Sequence, residues 1–584
     1  MTKFRFPLAQ YLEMLNQYLR PQWVKLSILL LLLLTSIGAQ LVNPQIIRYF
    51  IDAATTQSDL MNLWYAAALF IGVSVSHQAI VVAATYIGEN VGWIATNQLR
   101  SKLASHCLKL DMTFHRNYSS GTLIERVDGD INALSNFFSS FVVVLLSNIF
   151  LIIGIITMLA IEGWQVGLTM ILFVVFALWV IQFVRKFAIP YIAKTRAISA
   201  EFYGFIGEHL EGTEDTRANG ASQFVMNRFY SINRRWLPAQ LRSFLGFASV
   251  WATSVVVFAI GMGAAFAFSS FMWGKGSISI GTVFIIVYYT ELLASPIENI
   301  RMQLQDLQRA EASIGRVKEL LEIESQIQDG TESLRQEGPL SIRFDHVDFG
   351  YEDHLTTLQD IHFELKAGKS LGILGRTGSG KSTLSRLLLR FYDTRSGTIF
   401  IDHQDIRQLK LQDLRKRVGF VTQQIELFQG TIRDNLTFYD DSIMDEQIIA
   451  ILDDIELGDW LSGQPNGLDT MLESNGNGLS AGEAQLLAFA RVFLTNPGIV
   501  ILDEASSRLD PATEHKIESA IDKLLSGRTC IIIAHRLATI ERVDQLLILE
   551  DGHIVEQGER TQLIADPQSR FTQMRRVGME EVAV

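Results

Sequence analysis

Residues 375–382 read Gly-Arg-Thr-Gly-Ser-Gly-Lys-Ser, a full match to the G-x-x-x-x-G-K-S phosphate loop. The flanks suit that chemistry. The apolar run 371–374 predicts a buried strand before the loop, and residues 382–390 predict a helix after it. Glycines let the backbone curl so that successive N–H groups face the β- and γ-phosphates of a nucleotide, and the helix N-terminus adds positive potential. The candidate nucleotide-binding residues here are Gly375, Arg376, Thr377, Gly378, Ser379, Gly380, Lys381, Ser382 and Thr383. Lys381 would bring a point charge to the phosphates, and Ser382 a hydroxyl to Mg2+. A second apolar run, 499–502, ends in Asp503-Glu504. Two carboxylates at the mouth of a buried strand are costly unless they serve a cation or a reaction. Asp503 is suited to holding Mg2+, and Glu504 to taking a proton from an attacking water. A third run, 531–533, delivers His535. Alone it would read as a structural histidine; following a strand of the same α/β region, it is placed to contact a γ-phosphate.

These strands and helices belong to the last two hundred and fifty residues or so, which read as a soluble α/β domain. The first three hundred are different. Six apolar segments are long enough to cross a bilayer, which takes about twenty residues. They lie at 26–42 (extending toward 47), 64–86, 141–161, 166–184, 244–268 and 278–293. Their connections alternate in length and charge. Residues 52–59 carry no Lys or Arg, the turn at 162–163 is tiny, and 269–276 holds only Lys275. The connection after the second segment holds Arg100, Lys102, Lys109, Arg116 and Arg126. The one after the fourth holds nine basic residues from Arg185 to Arg242. The positive-inside rule places both termini and both long connections in the cytoplasm. Few Gly or Pro residues interrupt those connections, so the membrane helices are expected to run on beyond the bilayer. Each should turn through a short transverse helix, at 114–122 and at 212–219. Leu8, Leu12, Leu15 and Leu19 recur at helical spacing, predicting an amphipathic helix at the cytoplasmic membrane surface.

At 584 residues the chain exceeds one ordinary core. Its 48% hydrophobic and 19% charged residues suit a mixture of membrane and soluble domains. A net charge of −12, without a clustered basic face, argues against nucleic acid. Two distant cysteines, Cys107 and Cys530, exclude a disulfide framework and read as small buried apolar residues.

The order of motifs is similar to that of the nucleotide-binding domain of ATP-binding cassette proteins. The whole chain resembles a half-size exporter of that family, of the multidrug or lipid exporter kind. The resemblance implies that Tyr351 stacks on adenine, and that Gln423, within Val-Thr-Gln-Gln-Ile-Glu-Leu-Phe, touches Mg2+ and the attacking water. It places the family signature at Leu479-Ser480-Ala481-Gly482-Glu483 and the loop that crosses a dimer interface at 507–510, including Asp510. Residues 473–478 stand where exporters sense the membrane domain, and 432–477 form most of a helical subdomain. The signature departs from Leu-Ser-Gly-Gly-Gln: Ala481 adds a methyl where backbone conformation would be demanding, and Glu483 brings a carboxylate near a triphosphate. Arg508 stands where alanine is usual.

The expected architecture is a multidomain membrane protein. An all-α six-helix transmembrane domain (1–318) leads through a linker (319–340) to an α/β phosphate-loop ATPase domain (341–584) with an antiparallel β subdomain and a helical subdomain. The resemblance implies an ATP- and Mg2+-dependent half-transporter in a bacterial cytoplasmic (inner) membrane. It would export a hydrophobic or amphiphilic drug, lipid or peptide as two cassettes close around ATP and reopen. An importer of the same superfamily and a non-transporting regulatory subunit are the alternatives. An intact catalytic set beside an altered signature favours a heterodimer over a homodimer, because a signature serves the partner's ATP. Polar residues within the spans are candidates for cargo contact, Glu291 and His77 foremost. Glu291 lies five residues before Pro296, where a kink could open a cavity.

Overall fold

A computed structural model describes residues 19–57, 59–136, 144–334, 337–352, 354–473, 478–503, 511–533 and 540–577. It divides into two compact units: residues 1–108 with 120–323, and 109–119 with 324–584. The expected amphipathic helix at 8–19 falls almost wholly outside the described residues.

In chain order the main helices of the first half are α1 (Trp23–Thr55), α2 (Leu60–Lys109), α3 (Met112–Asn117), α4 (Leu146–Glu162), α5 (Trp164–Glu211), α6 (Thr213–Ala218), α7 (Ser222–Gly274), α8 (Ile280–Leu292) and α9 (Ala294–Glu322). Five stretches are long and apolar enough to cross a membrane: Arg20–Thr55, Leu60–Lys109, Trp164–Glu211, Ser222–Gly274 and Ile280–Ile300. The remaining expected span is the apolar helix α4, and its expected start at 141–143 lies outside the described residues. The helices do outrun a bilayer. With 50, 48 and 53 residues, α2, α5 and α7 far exceed the roughly twenty a hydrocarbon core requires. Short helices stand at both expected tips, α3 and α6.

Small residues let these helices approach closely, as apolar surroundings favour. Gly261 lies against the Phe173 ring and Gly246 against Ala188, where a β-carbon would crowd the neighbour. Tyr289 is fully buried at the core of the bundle and donates its hydroxyl proton to Leu41 O at 2.7 Å. At one end of the bundle, Arg48 pairs with Glu162. Asp52 there accepts from Ser279 Oγ at 2.8 Å and Gly281 N–H at 2.9 Å, fastening the start of α8. The sixth span breaks at Leu293. Pro296, in the first turn of α9, has no N–H to continue the ladder of α8.

The second unit holds a six-stranded sheet and a four-stranded sheet. The strands are β1 (Ile342–Phe349), β2 (Leu358–Leu365), β3 (Ser370–Gly375), β4 (Ser396–Ile401), β5 (Gln404–Asp405), β6 (Val418–Val421), β7 (Gly430–Thr431), β8 (Met471–Leu472), β9 (Ile499–Asp503), β10 (Thr529–Ile533), β11 (Gln545–Glu550) and β12 (His553–Glu559). The larger sheet runs β12-β11-β3-β10-β9-β6, parallel except at the β12 edge. Its strands read as continuous apolar runs because both faces are covered. Successive residues alternate between two cores: Val500, Leu502 and Ile532 pack on the helical side, and Ile499, Ile501, Ile531 and Ile533 on the side of the smaller sheet. That smaller sheet, β2-β1-β4-β5, is the expected antiparallel subdomain. Between the β7–β8 pair, helices α11 (Ile432–Thr437) and α12 (Asp445–Asp454) form the expected helical subdomain, preceded in the chain by α10 (Lys381–Leu388). Helix α13 (Ala481–Thr495) packs on it.

Candidate nucleotide site

The phosphate loop joins β3 to α10 at the carboxyl end of the central parallel strands, where open α/β sheets place their ligands. Gly375, Gly378 and Gly380 have φ of 150°, 87° and 106°. These angles are open to glycine and strained for other residues. Lys381 is buried; its ammonium reaches back over the loop and donates to Gly375 O at 2.6 Å and Arg376 O at 3.0 Å. Ser379 is 4% exposed, and its Oγ has no partner among the described residues. A buried hydroxyl without a partner is costly, and a phosphate oxygen would satisfy it. Arg376, Thr377 and Gly378 stand exposed at the crest, Ser382 is half-buried, and Thr383 is buried. The donor set fits a nucleotide triphosphate with its metal.

Tyr351 is brought to this loop from the end of β1. Its hydroxyl lies 3.2 Å from Thr383 Oγ1 and accepts from Arg386 at 3.1 Å. Tyr392 meets the ring edge-on. The Arg116 guanidinium, from α3, sits 5.3 Å from the ring centroid and donates to Tyr351 O at 3.3 Å. Asp111 holds α3 in place: it caps the helix through Phe114 N–H at 3.1 Å and accepts from Gln326 N–H at 2.6 Å. Arg116, Gln326, Tyr351 and Tyr392 border a cleft of about 630 Å³. The role of Arg116 was not read from sequence, because 235 residues separate it from Tyr351.

Asp503 is the last residue of β9 and pairs in register with Ile533, the last of β10. Glu504, His535 and Asp510 lie outside the described residues, the first two immediately or shortly after these adjacent strand ends. Gln423 is exposed in the loop after β6. That loop is anchored from the helical subdomain. Asn435 donates to Phe428 O at 2.8 Å and accepts from Phe428 N–H at 2.9 Å. Arg491 donates to Glu426 O at 2.9 Å and to Asn435 O at 2.6 Å. Burial draws the Arg491 guanidinium down to about 10, still charged at neutral pH.

The signature residues engage one another. Ser480 caps α13 and accepts from Glu483 N–H at 3.2 Å. Glu483 Oε2 accepts from Ser480 N–H at 2.7 Å and from Ser480 Oγ at 2.8 Å. This is a capping box, and a carboxylate there also complements the helix dipole. This cap was not read from sequence; the Ser-x-x-Glu spacing is the signal that would have found it. The expectation that Ala481 strains the backbone is corrected. It is an exposed first residue of an ordinary α-helix, with no positive φ, and alanine suits that conformation.

The two cargo candidates lie in the other unit. His77 is half-buried on α2. Glu291 is exposed on α8, two residues before the break at Leu293. The nearby buried amide, Asn148, accepts from Asn299 at 3.3 Å, a contact between helices.

A phosphate-loop ATPase of this topology, fused behind a bundle of six apolar helices, defines a membrane transport ATPase. Two family models match the chain: the ABC transporter transmembrane region over residues 26–297, and the ABC transporter domain over 358–507. The uncharacterized ABC transporter ATP-binding protein YwjA of Bacillus subtilis is 31% identical over 532 residues, 90% of this chain and 92% of that one. ATP-dependent lipid A-core flippase 1 of Colwellia psychrerythraea is 32% identical over 500 residues, 81% of each. The structure of a bacterial Atm1-family ABC exporter with ATP bound superposes with a TM-score of 0.79 at 25% identity, covering 96% of this chain and 99% of that one. The chain belongs to the ABC transporter family and is an exporter half-transporter. It is a multi-pass protein of the bacterial inner membrane, with a cytoplasmic domain that binds ATP and couples its hydrolysis to transport.

Proposed function

We propose that this chain is the hydrolytic half of a heterodimeric exporter. Its own phosphate loop builds the fast ATP site, and its signature serves a slower one on the partner. The observation that carries this reading is the Ser480–Glu483 capping box. A serine hydroxyl has one proton to give, and here it goes to a carboxylate. To reach a γ-phosphate on the partner, Ser480 must surrender a charge-assisted bond, and Glu483 then faces a second anion. The phosphate loop carries no such conflict: its buried Ser379 hydroxyl has no partner among the described residues.

Phosphoryl transfer asks the protein mainly for position and charge. Lys381 and the loop N–H groups would hold the β- and γ-phosphates, and Tyr351 would stack on the base. Ser382, Gln423 and Asp503 would hold Mg2+, which would supply positive charge to offset that of the phosphates. Glu504 would take the proton of the attacking water, with Gln423 orienting that water and His535 contacting the γ-phosphate. Asp510 would act at the dimer interface.

The test is to purify the chain alone in lipid and measure its oligomeric state and ATPase rate. The expected result is a nearly silent chain, activated when a second half-transporter with an intact signature is added. A stable homodimer with fast, cooperative hydrolysis would overturn the heterodimer.

For cargo, we propose a hydrophobic or amphiphilic solute of the drug, lipid or peptide class. Support comes from the relatives described as lipid A-core flippases and from the exposure of Glu291 beside the broken helix. A carboxylate there suits a cationic amphiphile. Efflux of cationic dyes that is unchanged by Glu291→Gln would remove that preference.

A further inference from the structure

Midway along β1, this strand and β2 depart from regular pairing in a way that gathers four side chains. In the β1–β2 ladder Phe344 faces Phe363 and Val347 faces Ile361, so Asp345 and His346 together oppose His362 alone. The next interval reverses the imbalance: Phe349 faces Leu358, so Asp348 alone opposes Gln359 and Asp360. Each bulge contains a non-glycine residue in the left-handed region, His346 at φ 51° and Asp360 at φ 49°. Bulges re-aim side chains and increase local twist, and strained backbone of this kind collects at functional positions. In a regular strand, Asp345 and His346 would point to opposite faces. Here the bulge lets both reach His362.

The geometry is that of a ligand set. One ligand atom from each of Asp345, His346 and His362 lies within 4.8 Å of the others. The two imidazoles lie nearly parallel with centroids 4.7 Å apart. A shared metal ion needs two imidazoles this close. Asp360 receives Nδ1 of His346 at 2.5 Å. A carboxylate on one ring nitrogen fixes the tautomer and leaves the other nitrogen with a lone pair. The cluster is exposed, His346 and His362 each by more than half of the side chain and Asp345 less, so an ion can enter from solvent. Gly397, on the neighbouring β4, comes so close to His346 O that a side chain there would collide, which holds the bulge in shape.

We propose that Asp345, His346 and His362 bind a divalent transition-metal ion of the zinc, nickel and copper class, with Asp360 as the positioning residue for His346. Two imidazoles and one carboxylate suit that class, whereas Mg2+ and Ca2+ prefer oxygen alone. Three protein ligands leave a fourth position to water. The ion would clip β1 to β2 on the outer face of the antiparallel sheet, and it is separate from the Mg2+ of the nucleotide site.

The test uses the full chain in detergent, freed of any histidine tag, with zinc titrated against a chromophoric chelator and cobalt(II) as a spectroscopic probe. One zinc per chain is expected, with visible cobalt bands of a four-coordinate site. His346→Ala and His362→Ala should each weaken zinc binding at least tenfold, and Asp360→Asn about 10- to 100-fold. Retained ATP binding in each variant would show that the cassette is folded. Zinc binding that is unchanged in the doubly substituted chain would overturn the proposal. So would a cobalt spectrum of the hydrated ion alone, which would leave Asp345–His362 and His346–Asp360 as plain ion pairs.

Discussion

At the scale of single residues, the phosphate loop is a case in which chemistry and local conformation coincide. Three glycines take angles that a side chain would strain, and the lysine that follows is buried over the loop they form. Glu504 follows directly in the sequence on Asp503, the partly exposed last residue of an otherwise buried strand. Its replacement by glutamine keeps the shape and removes the proton acceptor. Glu504→Gln should therefore lower hydrolysis at this chain's own site by at least 10²-fold while leaving ATP affinity within a few-fold. Steady-state turnover and nucleotide occlusion, measured together, check this. Near-normal hydrolysis at that site would exclude Glu504 as the base. The signature teaches a different lesson at the same scale. Glu483 looks in the sequence like a damaged glutamine, yet in the fold it is half of a capping box with Ser480. A substitution that weakens one interaction with a partner can strengthen another within the chain.

At the scale of elements, two devices connect the nucleotide site to the helices around it. The first is the clamp on the Gln423 loop by Asn435 and Arg491. Asn435→Ala leaves the Phe428 N–H and C=O without that partner and should cost about 2 kcal/mol of cassette stability. It should also slow hydrolysis more than it weakens ATP binding, because Gln423 loses its anchor. Denaturant melts and a comparison of kcat with ATP affinity test both parts. The second is α3, which lays Arg116 over Tyr351 and is fixed by Asp111. Arg116→Ala should reduce cargo stimulation of the ATPase several-fold, with ATP affinity changed less than by Tyr351→Ala; an equal loss of affinity in both would refute a coupling role. Much of the machinery was readable in advance because it is contiguous: strand, loop and helix follow within residues 370–388. The clamp, the Arg116 contact and the His346–Asp360 bulge were not. Each depends on register or on partners distant in sequence, which no local pattern carries.

At the scale of the whole molecule, the chain leaves much apolar surface to others. Along α2, Trp64, Tyr65, Leu69, Ile71, Val75, Val82 and Tyr86 are all exposed, so lipid and a second half-transporter must cover what this chain does not. The tips 114–122 and 212–219 are expected to dock on cassettes, one of them on the partner's. Single cysteines at Thr122 and Thr213, each paired with one near Gln423, should cross-link in at least one nucleotide state, as read on gels; silence in every state would count against docking. The native thiols should interfere little. Both are buried, and burial pushes that of Cys530 up to about 12. One further consequence follows from the length of α7. Its 53 residues make a rod of about 80 Å, of which the hydrocarbon core takes about 30 Å. The cytoplasmic part, 222–243, accounts for about 33 Å and the span, 244–268, for about 37 Å. A rod with arms so nearly equal works as a balanced seesaw: tilted about the membrane surface, it hands a displacement at the tip to the gate nearly one to one.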